Sequence, residues 1–294
     1  MTQTFFLGAN SRNGFASLYP DFPGDKDIFL HIVKGGPGTG KSAFMKRIGH
    51  AAEERGYDVQ YVLCSGDPDS LDGVCVPARH LAWVDGTAPH VGEPGCFGVD
   101  SDYVNLGSFC QTPFRSDDRE ALLALSDRHR ALYREITQAL AQAEIVETGP
   151  ASDTLPVLPL YAECEGCLPQ RRYLHAISCM GECFLWSEIK KLCKQVESLT
   201  VPSLQLLSQE LEARKLPAIR CPSPLDASQL EVILLPWLNC AFVANTACSG
   251  LEDALLKLRE AKALHDEMEA LVYPYVDFSA LTAYTEKNVQ DLFG

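Results

Sequence analysis

The sequence has no apolar run long enough to cross a membrane and no segment typical of an export signal. Its longest apolar run, Val232–Leu238, is interrupted by Pro236, whereas a membrane-spanning helix needs about 20 apolar residues. The first residues, MTQTFFLGAN, lack the basic and long apolar segments of a signal peptide. We therefore expect a cytoplasmic protein without membrane-spanning segments.

Positive charge is also scarce. The chain has 25 Lys and Arg residues against 39 Asp and Glu residues, a formal net charge of −14. Nucleic acids and anionic membranes are bound through basic surfaces, so we expect neither as a partner. The remaining composition is ordinary for a globular protein, and 294 residues suffice for one large domain or two modest ones.

The cysteines lack the paired spacing of a structural zinc site, although there are twelve of them. Cys164 and Cys167 have the spacing of metal ligands, but Cys179 and Cys183 are separated by three residues and fall at a predicted strand-to-helix junction. We therefore favour reduced, inert thiols over a zinc site.

The most informative stretch is residues 28–46, IFLHIVKGGPGTGKSAFMK. Its apolar, β-branched beginning predicts a buried strand. Its end predicts a helix, with Phe44 and Ile48 on one face. Between them, residues 35–42 match the phosphate-loop pattern G-x-x-x-x-G-K-[ST].

Each residue type in this loop suits phosphate binding. Glycines allow backbone N–H groups to converge on an anion, and the helix that follows directs its positive end there. Lys41 would reach the β- and γ-phosphates, and the Ser42 hydroxyl would bind Mg²⁺. The alternative is a glycine-rich turn with a solvated lysine. The predicted nucleotide-binding residues are Gly35, Gly36, Pro37, Gly38, Thr39, Gly40, Lys41, Ser42 and Ala43.

A Mg²⁺-nucleotide site also needs an acid at the end of a neighbouring strand. Asp85 ends the apolar segment LAWVD, and Asp67 follows a predicted strand that ends at Cys64. We favour Asp85, with Ser42, as the ligand of the metal ion, and we keep Asp67 as the alternative acid for this role. Either could instead be a turn aspartate.

Catalysis of hydrolysis is less well supported than binding. Asp85 is followed by Gly86, so the adjacent glutamate of many ATPases is missing. His90 or Asp69 could orient the attacking water, although His90 is equally consistent with a surface histidine. Three arginines could neutralise phosphate charge but could also be merely solvated: Arg115, Arg119 and Arg128.

Two other functions remain open at this point. In a small-molecule kinase, Asp67 and Asp69 would hold or deprotonate the hydroxyl group of an acceptor. A nucleotide-sensing interaction protein would bind ATP, turn it over negligibly and change its partner or oligomeric state.

Alternating strand and helix patterns predict an α/β fold, with a mainly parallel sheet flanked by helices. Helices are expected at residues 15–19, 116–147, 182–197, 203–215, 251–272 and 278–293, and a linker at 148–159.

The second half of the chain resembles a degenerate copy of the first. Residues 6–9, FLGA, match residues 173–176, YLHA, and residues 71–77 match residues 230–236. Where the copy should have a phosphate loop, it has SLTVPS at 198–203. We interpret residues 1–148 as a nucleotide-binding unit and residues 149–294 as a repeat packed against it as a pseudo-dimer. The general similarity of α/β units is the alternative.

Four segments together resemble a functionally uncharacterised family of bacterial P-loop ATP-binding proteins with tandem phosphate-loop units. They are FFLGAN with a following GF, KGGPGTGKS, CSGDPDSLDGV and DGTAPH. The resemblance covers residues 5–105 closely and 172–294 loosely. It implies the P-loop NTPase fold, a cytoplasmic location and ATP as the nucleotide, but no particular reaction.

The resemblance extends to individual residues. Residues 35–42 match the nucleotide loop of the family, and two further motifs are matched by Cys64, Asp67, Pro68, Asp69, Leu71 and Asp72, and by Asp85, Thr87 and His90. The second unit departs from the family because it lacks Gly-Lys-Ser/Thr. The sequence thus predicts one ATP·Mg²⁺ site, slow turnover or a nucleotide-controlled switch, and a protein partner or second copy that could activate it.

Overall fold

The computed structural model of the chain describes residues 2–89, 92–159 and 170–294. Within these residues the fold is α/β, with six α-helices and two larger sheets. In residues 1–148, hereafter the first unit, the strands are β1 Gln3–Phe6, β2 Gly8–Ser11, β3 Gly14–Ser17, β4 Phe29–Lys34, β5 Gln60–Leu63, β6 Leu71–Val76, β7 Leu81–Asp85, β8 Ser101–Asn105 and β9 Glu144–Glu147, and the helices are α1 Lys41–Glu53 and α2 Ser116–Leu140.

Residues 149–294, hereafter the second unit, contain the other elements. The strands are β10 Gln170–Arg171, β11 His175–Ser178, β12 Gly181–Phe184, β13 Gln195–Leu199, β14 Ile219–Pro222, β15 Leu230–Leu235, β16 Cys240–Ala244 and β17 Thr246–Ser249, and the helices are α3 Trp186–Leu192, α4 Val201–Ala213, α5 Glu252–Val272 and α6 Phe278–Phe293. None of the helices in the described part of the chain is both long and apolar enough to span a membrane.

The first sheet has the strand order β1-β5-β6-β7-β4-β8. Five strands run in one direction, and β6 runs antiparallel to its neighbours β5 and β7. The expected mainly parallel sheet is therefore a mixed one. The reason is that short connections lead into and out of β6, and a short connection joins antiparallel strands.

Among the residues that the structure describes, the second sheet repeats this arrangement but has no strand equivalent to β8. Its order is β10-β14-β15-β16-β13, and only β15 runs against the others. Counted across the sheet, β10, β14, β15, β16 and β13 take the places of β1, β5, β6, β7 and β4. Each unit also has a small hairpin, β2–β3 in the first and β11–β12 in the second.

A shared hydrophobic core joins the two units. It contains Phe6 and Leu7 from the first unit and Tyr173 and Leu174 from the second, all essentially buried. The long helices add a second contact between the units, because α2 and α5 lie side by side through Leu132, Ile136, Leu140, Ala254, Leu258 and Ala261.

Helix α1 covers one face of the first sheet. Phe44 and Ile48 are fully buried in a cluster that includes Val33 of β4 and Trp83 of β7. Burial of each such side chain contributes about 1.5–3 kcal/mol. Leu281 of α6 belongs to the same cluster, so the last helix of the chain packs on the first unit and fixes the start of α1.

Candidate functional site

The phosphate-loop segment lies at the end of β4 and leads directly into α1. Strands β7 and β8 flank β4 in parallel, and Val33 is opposite Asp85 in the register of β4 and β7. Because parallel strands end at the same edge of the sheet, Asp85 comes to lie beside the loop. The structure therefore brings together the loop and the acid that the sequence favours.

The loop presents a group of unpaired backbone donors. Within the described residues, the N–H groups of Gly40, Lys41, Ser42 and Ala43 donate to no protein acceptor, as expected for the first turn of a helix. Gly38 and Gly40 have the left-handed φ angles of 72° and 81° that turn these groups inward. With the positive end of the α1 dipole, they form a cradle suited to an anion.

Lys41 is held inside the loop. Its Nζ donates to the carbonyl oxygens of Gly35 at 2.8 Å and Gly36 at 3.0 Å. The same nitrogen lies 3.7 Å from Oδ2 of Asp85, and the two side chains are only 12% and 13% exposed. The ammonium group is therefore fixed between the loop and the carboxylate.

Ser42 and Asp85 offer two oxygen ligands for Mg²⁺. The Ser42 hydroxyl accepts from the Leu71 N–H at 2.9 Å and keeps a second lone pair. Oδ1 of Asp85 accepts from the N–H of Thr87 at 2.8 Å and from its hydroxyl at 2.6 Å. In the described ranges no group of three or more His, Cys, Asp or Glu side chains could hold a metal. One hydroxyl and one carboxylate, completed by phosphate oxygens and water, match how proteins usually bind Mg²⁺.

Asp67, the alternative acid, sits in a turn. Its carboxylate accepts from the N–H of Asp69 at 3.3 Å and the hydroxyl of Ser70 at 3.2 Å, and it lies 3.5 Å from Nζ of Lys262. The Asp69 side chain is exposed. His90 lies outside the described residues, as do Cys164 and Cys167.

Two of the three predicted arginines pair with surface acids. Arg115 contacts Asp118, and Arg128 contacts Glu135 and Glu260, both at 2.7 Å. Side chains in such pairs are already compensated, so the structure gives no phosphate-facing role to these arginines.

The sequence did not indicate the contribution of α5. Glu269 Oε1 accepts from the Gly38 N–H at 3.1 Å, and Nε2 of His265 lies 3.4 Å from the same oxygen. His265 and, to a lesser extent, the Gly38 N–H hold the pKa of Glu269 below its ordinary value. Lys262, one further turn away, is on the same helix face. The only available signal was the spacing of these three charged residues, which share one face of a helix.

Lys34 is a second residue that sequence reasoning missed. Its Nζ donates to the carbonyl oxygens of Gly86 at 2.8 Å and Gly92 at 3.1 Å. It therefore ties the chain on the far side of Asp85 to the end of β4, and it supports the geometry of Asp85.

The equivalent position in the second unit has no loop. Only Thr200 separates β13 from α4, whereas residues 35–40 separate β4 from α1. The linker crosses this position: Oγ1 of Thr200 lies 2.8 Å from Oδ1 of Asp153, and the Thr200 N–H donates to Ser152 at 3.1 Å. Protein groups therefore occupy the place where a second phosphate cradle would lie.

A surface pocket of about 470 Å³ lies elsewhere, between the C-terminal half of α1 and α6. It is lined by residues that include Arg47, His50, Arg55 and Glu286. None of the predicted site residues in the described part of the chain lines it, and we attach no function to it.

The candidate site thus consists of the loop amides, Lys41, Ser42 and Asp85, with α5 of the second unit touching the loop at Gly38. No protein-family model, curated protein or solved structure matches the chain.

Proposed function

We propose that this chain binds ATP·Mg²⁺ through residues 35–43 and uses it as a slow ATPase or nucleotide-controlled switch. The observation that carries the proposal is the group of four unpaired N–H donors at the start of α1, next to a lysine fixed 3.7 Å from a buried carboxylate. A glycine-rich turn with a solvated lysine would not hold that lysine inside the loop. The arrangement supplies donors, positive charge and metal ligands for one triphosphate.

The chain's own residues have distinct roles in this proposal. The amides and Lys41 bind and orient the phosphates, and Ser42 and Asp85 would hold the metal ion. Mg²⁺ would neutralise the negative charge that develops on the phosphate oxygens as the terminal phosphate is released. No acid follows Asp85, since Gly86 is next. Slow intrinsic turnover is therefore expected unless a protein partner or second copy supplies the missing group.

The finer fold assignment belongs to the same proposal. We regard the first sheet as a P-loop NTPase-type sheet with one antiparallel strand, and the second unit as a degenerate repeat packed as a pseudo-dimer. The matched strand orders and directions of the two sheets support this. Thr200 and the linker at the equivalent position support a single nucleotide site. The choice of ATP and a cytoplasmic location follow from the family resemblance.

Calorimetric titration with ATP·Mg²⁺ tests the binding site. We expect the wild type to bind, and Lys41→Ala to bind at least about tenfold more weakly, a loss of about 1.4 kcal/mol or more. Lys287→Ala, an exposed lysine on α6, should bind like the wild type. Equal heats for the wild type and Lys41→Ala would reject the site, and a parallel GTP titration tests the choice of base.

Turnover separates the possible uses of the nucleotide. An ATPase releases free phosphate, faster when a partner from the cell lysate activates it. A kinase would instead transfer phosphate to a metabolite in a substrate screen, and Asp69→Asn would abolish the transfer. A switch would show negligible release in both conditions, with a change in oligomeric state when ATP binds.

A further inference from the structure

The second unit places a carboxylate on the phosphate loop. The Gly38 N–H donates to Oε1 of Glu269 at 3.1 Å. A Cβ atom added to Gly38 would lie 3.1 Å from both the Cα and the carbonyl oxygen of Glu269. The backbone of α5 therefore lies directly against the loop, and the Glu269 side chain accepts the Gly38 hydrogen bond without bridging a gap between α5 and the loop.

We propose that Glu269 is an internal competitor of the nucleotide, a built-in anion that sets the affinity of the loop for phosphate. This inference rests on the proposed function, because it concerns the regulation of the same site. A carboxylate and a phosphate oxygen are both anionic acceptors for backbone N–H groups. The Gly38 donor belongs to the loop that would hold the phosphates, so Glu269 already occupies one of its positions.

The charges around Glu269 suit an exchange of anions. His265 lies 3.4 Å away, and Lys262 follows on the same face of α5. If a phosphate group replaces the carboxylate, His265 remains beside that position and can face the new negative charge, whereas Nζ of Lys262 is paired with Asp67 at 3.5 Å and with Asp266. Glu269 itself is about half exposed, with 45% of its side chain accessible, so it can rotate into solvent.

The alternative is that Glu269 pre-organises the loop for the nucleotide. In that case the carboxylate would have to stay in place beside a triphosphate. Two anions at such a short distance repel strongly, and the close contact of the α5 backbone with Gly38 leaves little room for both. We therefore favour competition, and the two readings predict opposite effects of removing the charge.

Glu269→Gln tests the competition because it keeps the shape of the side chain and removes its charge. We expect ATP·Mg²⁺ to bind this variant about tenfold more tightly than the wild type, as relief of a like-charge contact implies. Glu267→Gln is the matched control, since Glu267 is exposed on the same helix, and its affinity should not change. Glu269→Ala, which also removes the acceptor, should tighten binding as well.

The double variant Lys41→Ala/Glu269→Gln assigns the gain to the loop. If Glu269 acts there, the double variant loses the tight binding that Glu269→Gln alone shows. Unchanged or weaker binding by Glu269→Gln, in a protein whose wild type binds ATP through Lys41, overturns the competitor. If the wild type and Glu269→Gln both fail to bind ATP, or bind it independently of Lys41, the proposed function fails instead, so the two failures are distinguishable.

Discussion

Phe6 and Tyr173 exchange a reciprocal pair of backbone hydrogen bonds. The Phe6 N–H donates to the carbonyl of Tyr173 at 2.9 Å, and the Tyr173 N–H donates to the carbonyl of Phe6 at 2.8 Å. The two residues occupy equivalent positions in the matching segments FLGA and YLHA. Each residue therefore donates a hydrogen bond to its equivalent in the other unit and accepts one from it.

A second pair of hydrogen bonds follows the same rule. The N–H of Arg12 donates to Leu225, and the N–H of Cys179 donates to Gly66, both at 3.1 Å. The first bond joins the turn of hairpin β2–β3 to the loop after β14, and the second joins the turn of hairpin β11–β12 to the loop after β5. Such self-complementary contacts are the pattern of an isologous dimer interface, and they support the proposed pseudo-dimer.

Replacement of Asp85 by asparagine should weaken the effect of Mg²⁺ on ATP binding. The amide oxygen can still accept from Thr87, but the neutral side chain is a poorer metal ligand than a carboxylate. We expect the gain in ATP affinity caused by Mg²⁺ to fall about tenfold. Without Mg²⁺, ATP should bind this variant at least as tightly as the wild type, because a negative charge near the phosphates is gone.

Titrations of ATP at several Mg²⁺ concentrations measure this effect. Asp69→Asn is the control, because Asp69 is an exposed acid of the neighbouring turn. A Mg²⁺ dependence that survives in Asp85→Asn and disappears in Asp69→Asn would move the metal site to the other acid segment.

A side chain at position 38 should destabilise the loop. Gly38 has a φ of 72°, and an added Cβ would meet the backbone of Glu269 at 3.1 Å. Left-handed backbone costs a residue other than glycine about 1–2 kcal/mol, so Gly38→Ala should lower the free energy of unfolding by at least that amount. Gly36→Ala is the matched control, because no described atom lies within 4 Å of its added Cβ. Equal losses in urea unfolding would contradict the expectation.

The loop and its surroundings show how much the sequence could predict. Strand β4, helix α1 and strand β7 were predicted because their patterns are local: a β-branched run, a glycine loop and an apolar segment that ends in an acid. Helices α4, α5 and α6 were predicted from their 3.6-residue periodicity and are confirmed within a few residues.

The errors arise where tertiary contacts override local preference. Residues 15–19 were expected to be helical but include β3, whose partner in the hairpin is β2. Residues 182–197 were expected to form one helix but contain the end of β12, α3 and the start of β13, because pairing with β11 and β16 satisfies their backbone groups instead. The contact between Gly38 and Glu269 joins residues far apart in the chain, so no local pattern encodes it.

His175 should make stability depend on pH in the alkaline range. Its Nδ1 lies 3.0 Å from Glu231, and its Nε2 lies 3.5 Å from Glu182. Burial lowers the pKa of His175, but its hydrogen bonds to Glu182 and Glu231 outweigh burial and raise the pKa to about 9. In the unfolded chain the pKa is about 6.5. The stabilisation is therefore complete below about pH 6.5 and is lost as the pH rises through about 9.

Urea unfolding at both ends of this pH range measures the effect. We expect the wild type to lose about 3 kcal/mol more than His175→Gln does between about pH 6 and pH 9.5. His50→Gln, an exposed histidine on α1, should follow the wild type. The same pH-dependent loss in His175→Gln as in the wild type would show that the ion cluster does not cause it.

Thr200→Ala should weaken the second unit without affecting nucleotide binding. The Thr200 hydroxyl accepts from the N–H of Ser203 at the start of α4 and lies 2.8 Å from Asp153. Loss of a helix N-cap costs about 1 kcal/mol, which denaturant unfolding can detect. Thr154→Ala, on the exposed linker, is the control. A change in ATP affinity as large as that of Lys41→Ala would contradict the separation of the two positions.

The packing of α6 on α1 has a consequence for biosynthesis. Leu281 lies so close to Gly40 that a Cβ added there would meet it at 2.8 Å, and Glu269 contacts the same loop. During translation these residues leave the ribosome more than 200 residues after the loop itself. A nascent chain therefore leaves the glycine turn and the part of α1 that faces α6 uncovered for most of its synthesis, and the loop acquires its native surroundings only when the last helices have docked.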